Sequence, residues 1–186
     1  MGRPKGGGGD ARVKLLEAAG RGFRLGGFGG IGVDGLAKEA GLTSGAFYAH
    51  FGSKSDAFRL AVEACLESLR EGIEAFQKQH GKAWLVPFVE FYFGARLAAP
   101  LNDACALPTF STDVARADEA TRAIYTRELG VIAALIADGL EGRGRRKRAW
   151  QLLAVLLGSS AMARAVTDST IRESIITAVK ALAKGG

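Results

Sequence analysis

The stretch Gly41-Leu42-Thr43-Ser44-Gly45-Ala46-Phe47-Tyr48-Ala49-His50-Phe51-Gly52-Ser53-Lys54 constrains the fold more than any other part of this chain. The Thr43 hydroxyl can accept a hydrogen bond from a free backbone N–H two or three residues on, so it starts a short helix, and Gly52 closes it. Phe47 and Phe51 lie four apart and share the face that would be buried. Ser44, Gly45, Tyr48 and Ala49 fall on the other side, where small residues let the backbone approach a partner and a phenol adds reach. Immediately upstream, residues 33–40 read as a second short helix, with Val33, Leu36, Ala37 and Ala40 inward and Gly41 ending it. Two short helices joined across Gly41-Leu42 form the helix-turn-helix pattern, whose second helix can enter a DNA major groove.

At the N-terminus, Arg3 and Lys5 with Gly6 to Gly9 form a basic arm that can follow a DNA backbone or enter a minor groove; a disordered leader explains it equally. Asp10 is expected to cap a helix whose inward positions are Val13, Leu16, Ala19 and Phe23, ending at Gly26-Gly27. Phe28, helped by Ile31, is placed as a plug beneath the two later helices. Ser53 starts the next helix, with Asp56 three residues on. Its apolar stripe is Phe58, Val62, Cys65, Leu66, Leu69, Ile73 and Phe76. Lys54 stands in its first turn, where free N–H groups and the dipole favour a phosphate.

No later run alternates like a strand, so the remainder reads as all-helical. Trp84, Pro87, Phe88, Phe91, Tyr92 and Ala95 lie on a helix that ends before Pro100. Residues 102–108 read as a loop and 110–116 as a short helix. Longer helices are expected from Asp118 to about Leu140, from Arg145 to Val166 and from Asp168 to Ala183. The basic run Gly142-Arg143-Gly144-Arg145-Arg146-Lys147-Arg148 reads as a solvated turn rather than a second nucleic-acid site.

The 186 residues suffice for a well-buried core, and nearly half are hydrophobic, which argues against disorder away from the ends. The net charge of +6 is concentrated early, because residues 1–60 hold 9 Lys/Arg against 5 Asp/Glu. An anionic partner at that end follows, and nucleic acid fits better than a membrane surface; ordinary surface charge is the competing reading. Cys65 and Cys105 are too few and too isolated for a disulfide framework or a metal cluster. The opening Met1-Gly2-Arg3-Pro4-Lys5 has no apolar core region, and no apolar run approaches the roughly 18 residues of a membrane span. The expectation is a cytoplasmic protein without metal or cofactor.

The ordered set Phe23, Gly27, Phe28, Ala37, Gly41, Gly45, Tyr48, Phe51 and Lys54, with Tyr48-Ala49-His50-Phe51 and Ser53-Lys54 as its most specific words, resembles the TetR family of bacterial transcriptional regulators (TetR/AcrR-like). The likeness covers about the first quarter of the chain in detail. It departs at Gly32, where the family usually has a Ser or Thr cap, and at Ser44, where members often carry a cation. The resemblance implies an all-α chain: a three-helix DNA reader over residues 1–52, then a helical bundle over 53–186 that binds a small effector and pairs two subunits through its last two helices. The reader's contacts would come from Thr43, Ser44, Gly45, Phe47, Tyr48, His50 and Lys54, with Arg3 and Lys5 of the arm. A palindromic operator fits a dimer, since two recognition helices then reach successive major grooves about 34–36 Å apart.

For an effector pocket, Phe88, Phe91, Tyr92, Phe110 and Trp150 could line an apolar cavity, although plain core packing explains each of them. Cys105 sits where some TetR-like regulators carry a Gly-Cys-Pro segment; Ala104 and Ala106 replace its flanks here. A helix N-terminus that lowered its pKa would make it a thiol sensor, and a buried small hydrophobe is the competing reading. Effector binding would swing the helix that starts at Ser53, move the recognition helices out of register and release DNA. An enzyme is disfavoured: His50 and His80 lie in separate segments, and neither a nucleophile elbow nor a Lys-Ser/Thr phosphate loop is present. A helical adaptor without DNA binding is the other alternative, and it would use the Tyr48 face for protein.

Overall fold

The computed structural model describes residues 7–184. They form helices α1 (Gly7–Gly30), α2 (Val33–Glu39), α3 (Ser44–Phe51), α4 (Lys54–His80), α5 (Leu85–Phe91), α6 (Ala106–Val114), α7 (Glu119–Asp138), α8 (Arg145–Ala165) and α9 (Ser169–Lys184). No strand occurs among the described residues, so the all-α expectation holds.

In α1 the expectation needs two corrections. Asp10 is not the cap: the helix begins upstream of it, and Asp10 lies in the first turn, paired with Lys14 at 2.8 Å. Val13 is not inward but 55% exposed, whereas Leu15, Ala18, Ala19 and Phe23 are fully buried. The buried arc runs from Phe23 through Ala19 to Leu15, and a helix that turns Leu15 inward turns Val13 to solvent. Gly27, with φ 69° and ψ 176°, breaks the helical path near its end, a backbone state that favours glycine.

The long α4 starts from Ser53, whose hydroxyl accepts the Asp56 N–H at 3.0 Å, and buries Phe58, Val62, Leu66 and Ile73 along one face. Its far end is fastened to α7, since Gln77 Nε2 donates to the Leu135 carbonyl at 3.0 Å, and just beyond the ends of both helices Trp84 Nε1 donates to the Gly139 carbonyl at 2.8 Å. Beyond α5 the chain widens into a π turn over Tyr92–Arg96, interrupted at Gly94 (φ −104°, ψ −105°). The expected 102–108 loop is shorter: α6 begins at Ala106 and takes Pro108 into its first turn, where a missing N–H costs no helical bond. Asp118 caps α7 by accepting the Thr121 N–H at 2.7 Å. Helices α8 and α9 follow as a packed pair joined by the short turn at 166–168.

A run of aromatic rings carries the core from the first three helices into the rest. Phe28 lies 5.2 Å from Phe58, Phe23 lies 5.1 Å from Phe58, and Phe58 lies 5.6 Å from Phe110 between ring centroids. The two edge-to-face pairs, Phe23–Phe58 and Phe58–Phe110, add about 0.5–1.5 kcal/mol each beyond burial of their area.

Candidate nucleic-acid interface

The α2–α3 unit is held by short-range bonds. Leu42 N–H donates to the Ala37 carbonyl at 2.9 Å and Gly41 N–H to the Lys38 carbonyl at 3.0 Å, which closes the turn. Thr43 Oγ1 accepts the Ala46 N–H at 3.2 Å, and Gly52 (φ 75°) ends α3 by donating to the Tyr48 carbonyl at 3.0 Å. Phe47 is 0% and Phe51 5% exposed. Behind them the outward face is left to solvent: Tyr48 is 53% exposed, and Gly45 and Ala49 are exposed as well. A half-wet phenol flanked by Gly45 and Ala49 leaves room for a groove wall to close on it.

Phe47 therefore cannot touch DNA; it holds Tyr48 in place, their rings meeting edge-on at 5.7 Å. Ser44 is half-buried and donates its hydroxyl to the carboxylate of exposed Asp34 on α2. Thr43 is exposed with its oxygen engaged in the cap, and His50 is half-buried. Lys54, half-buried in the first turn of α4, carries its ammonium 4.7 Å from the Phe28 ring centroid. That ring orients the lysine beside the free N–H groups of α4, where a phosphate is favoured. Arg3 and Lys5 lie outside the described residues. Sequence reasoning missed Asp34, although the buried Leu36 and Ala37 on α2 imply that Asp34 points outward.

Two side chains tie α1, against which this unit packs, to the bundle. Arg24 of α1 donates from Nε to the Asn102 carbonyl at 2.6 Å and from Nη1 to Cys65 Sγ at 2.9 Å. The Asp113 carboxylate of α6 accepts the Phe28 N–H at 2.8 Å, next to the break at Gly27, and pairs with Arg116 at 2.9 Å. The segment from Asn102 to Asp113 thus meets α1 at two points. Neither tie was visible in the sequence.

The residues named for an effector pocket do not line one cavity together. Phe88, Tyr92, Cys105 and Phe110 are buried, but Phe91 is 44% and Trp150 49% exposed, on the outside of the molecule. Phe91 packs at 5.4 Å on Phe76, and Phe110 is spent on Phe58. A void of only about 10 Å³ touches Tyr92 and Cys105, with Arg96, Ser160 and Arg164 around it. Tyr92 Oη is buried there without a hydrogen bond of normal geometry, and burial holds its phenol far above the usual range, protonated. Cys105 stands at the N-terminal cap of α6. Burial nonetheless pushes its thiol up, outweighing the Tyr92 hydroxyl and the Leu107 N–H that would favour a thiolate. Cys65 is also pushed up by burial, against the nearby Arg24 charge. The thiolate that sensing requires is therefore disfavoured at both positions.

At the opposite end of α4 from the reader, Arg143 is exposed in the turn before α8, and Arg145, Arg146 and Lys147 are exposed in the first turn of α8 itself, so the basic run expected as a turn is mostly helical. Along α8 and α9, Trp150, Ala154 and Ala161, then Ile171, Ala178 and Leu182, form exposed apolar stripes at helical spacing. No helix among the described residues is long and apolar enough to cross a membrane, and no group of three or more His, Cys, Asp or Glu residues there is placed to hold a metal.

Residues 15–60 match the sequence model of a family described as bacterial regulatory proteins, tetR family. A curated relative, the HTH-type transcriptional regulator LmrA of Bacillus subtilis (strain 168), is 36% identical over 88 residues, which take in 38% of this chain. That match spans 46% of the relative, less than two thirds of its length. Among solved structures, a TetR-family transcriptional regulator from Cytophaga hutchinsonii superposes with a TM-score of 0.82 at 15% identity, covering 98% of each chain. The reduced form of E. coli NemR superposes with a TM-score of 0.78 at 19% identity, covering 92% of this chain and 95% of that one.

Proposed function

We propose that this chain is a transcriptional regulator of the TetR family, acting as a dimeric DNA-binding protein rather than an enzyme, and that it is a repressor released from a palindromic operator by a small effector; the match of residues 15–60 to the family's sequence model and the likeness to an HTH-type regulator support the reading. The observation that carries the reading is the outward face of α3: an exposed Tyr48 between exposed Gly45 and Ala49, on a helix capped at both ends and backed by buried Phe47 and Phe51. Such a face serves a groove better than it serves a core. In the proposed division, residues 1–52 read DNA and residues 53–186 hold the effector and the partner subunit. The apolar stripes of α8 and α9 supply the pairing surface, and two-fold pairing sets the reading helices one groove apart. A cytoplasmic location fits a protein that works on chromosomal DNA.

Release would work through the joint between the two parts. An effector that favours another bundle shape would displace α4, and with it the Asn102 to Asp113 segment bonded to Arg24 and Phe28. The free energy for that switch comes from the difference in effector affinity between the two shapes.

Binding to the DNA upstream of its own gene, followed by fluorescence anisotropy at several salt concentrations, tests the assignment. Affinity should fall steeply with salt, and Lys54→Ala should reduce the log–log slope by about 1 per reader. Tyr48→Ala should weaken specific binding about tenfold or more while leaving the helical circular dichroism unchanged. A salt-independent affinity would point to an adaptor that uses the same face for protein.

A further inference from the structure

Helix α5, the N-terminal half of α8 and the C-terminal half of α9 leave between them a groove of about 450 Å³. That size lies within the roughly 300–1,000 Å³ of small-molecule sites. Its walls are apolar, including Leu85 and Val89 of α5 and Leu152 and Val155 of α8; Ala154 and Leu182, which also belong to the exposed stripes assigned to subunit pairing, line it too, and Arg148 and Gln151 are the polar side chains among its lining residues. None of the residues expected to hold an effector lies in it.

Arg148 gives the groove a charged end. It is half-buried in the first turn of α8 and donates from Nη1 to the Glu141 carbonyl at 2.7 Å. The Glu141 carboxylate is taken by Lys82 at 2.8 Å, so Arg148 meets a carbonyl there and not a carboxylate. Arg143, Arg145, Arg146 and Lys147 stand beside it, all exposed. Cations at a helix N-terminus oppose its dipole, and an anion bound among them relieves both the dipole and their mutual repulsion.

We propose that this groove takes a lipophilic anion, a single-chain carboxylate whose tail lies along the apolar walls and whose head meets Arg148. The inference rests on the ligand-release reading above and names the chemical class of its effector. The groove also offers a route to the dimer. Glu90 of α5 holds α9 through Lys180 at 2.5 Å and Lys184 at 3.7 Å, so a chain entering between these helices loads the pair assigned to subunit contact.

The test is isothermal titration of the full-length protein with hexanoate, octanoate, decanoate, decanol and decylamine. Carboxylate affinity should rise about fourfold per added methylene. Decanol should bind at least about tenfold more weakly than decanoate, because a charge-assisted bond is lost, and decylamine should not bind. Arg148→Gln should bring decanoate to the affinity of decanol, and Ala183→Trp, which fills the groove, should abolish both; circular dichroism confirms that each variant is folded. Affinity independent of chain length, or unchanged in Arg148→Gln, overturns the proposal. So does binding to phosphatidylglycerol vesicles without binding to dispersed decanoate. In a parallel DNA titration, bound decanoate should weaken operator affinity, and unaltered affinity overturns the effector assignment. A protein that binds no DNA under any condition refutes the regulator reading alone, since the calorimetry still decides whether the groove holds the anion.

Discussion

Replacing Asp113 with Ala removes the acceptor that fastens α6 to the reader, and the cost follows from what is left behind. The Phe28 N–H, 2.8 Å from the carboxylate, would remain without its protein partner, and the Asp113 side chain is only 15% exposed. A charge-assisted bond at such a site contributes about 1.5–3 kcal/mol. The Arg116 pair adds little, because that arginine is 72% exposed. Taking about 2 kcal/mol, the melting temperature should fall by about 4–8 °C for a chain of this length. The Phe28 amide should exchange about 30-fold faster if it opens locally. Asp113→Asn keeps an acceptor oxygen and should cost less than half as much. Urea unfolding with native-state hydrogen exchange measures both quantities. A loss below about 0.5 kcal/mol in Asp113→Ala, or equal losses in the two variants, would refute the claim that this bond fastens the joint.

Three further outcomes are expected. Tyr92→Phe removes a buried hydroxyl without a partner and should leave stability unchanged or raise it by up to about 1 kcal/mol in urea unfolding; a loss of that size would mean that the hydroxyl is bonded in solution. Since burial pushes both Cys105 and Cys65 up, neither should react appreciably with iodoacetamide at pH 7 in native protein, while both should in urea; rapid native labelling of Cys105 by mass spectrometry would revive the thiol-sensor reading. The Thr121 N–H holds the Asp118 carboxyl below the usual carboxylate range, so its contribution is present at neutral pH and is lost as pH falls below about 4, through the folded-state value. Asp118→Asn, which still caps, should therefore lose less of its melting temperature than the wild type between about pH 4 and 2, and parallel curves would contradict this.

What could be read from the residues alone was whatever depends on neighbours three or four apart. Thr43 and Ala46, Ser53 and Asp56, Asp118 and Thr121, and Phe47 with Phe51 all meet within one helical turn, so local geometry determines them whatever the rest of the chain does. Those pairs were enough to fix the helix-turn-helix, the outward Tyr48 and the all-helical remainder. The same logic failed where two rotations of a helix buried similar apolar content: in α1, Leu16 and Leu15 compete, and only packing into the common core turned Leu15 in and Val13 out. It failed at residues 106–108, where Pro108 looked like part of a loop but is tolerated in the first turn of α6.

Tertiary structure alone decided the joint and the cavity. Asn102 is 78 positions from Arg24, and Asp113 is 85 positions from Phe28; no periodicity links residues so far apart, and Arg24, Asn102 and Asp113 are ordinary surface-type residues until the fold places a partner beside them. Aromatic density marked Phe88, Tyr92 and Phe110 as interior, yet it could not say whether they enclose space or fill it. A cavity is what remains after side chains have packed, so its position depends on every neighbour at once, and here it opened along α5, α8 and α9, beside an arginine that the sequence showed only as part of a charged turn.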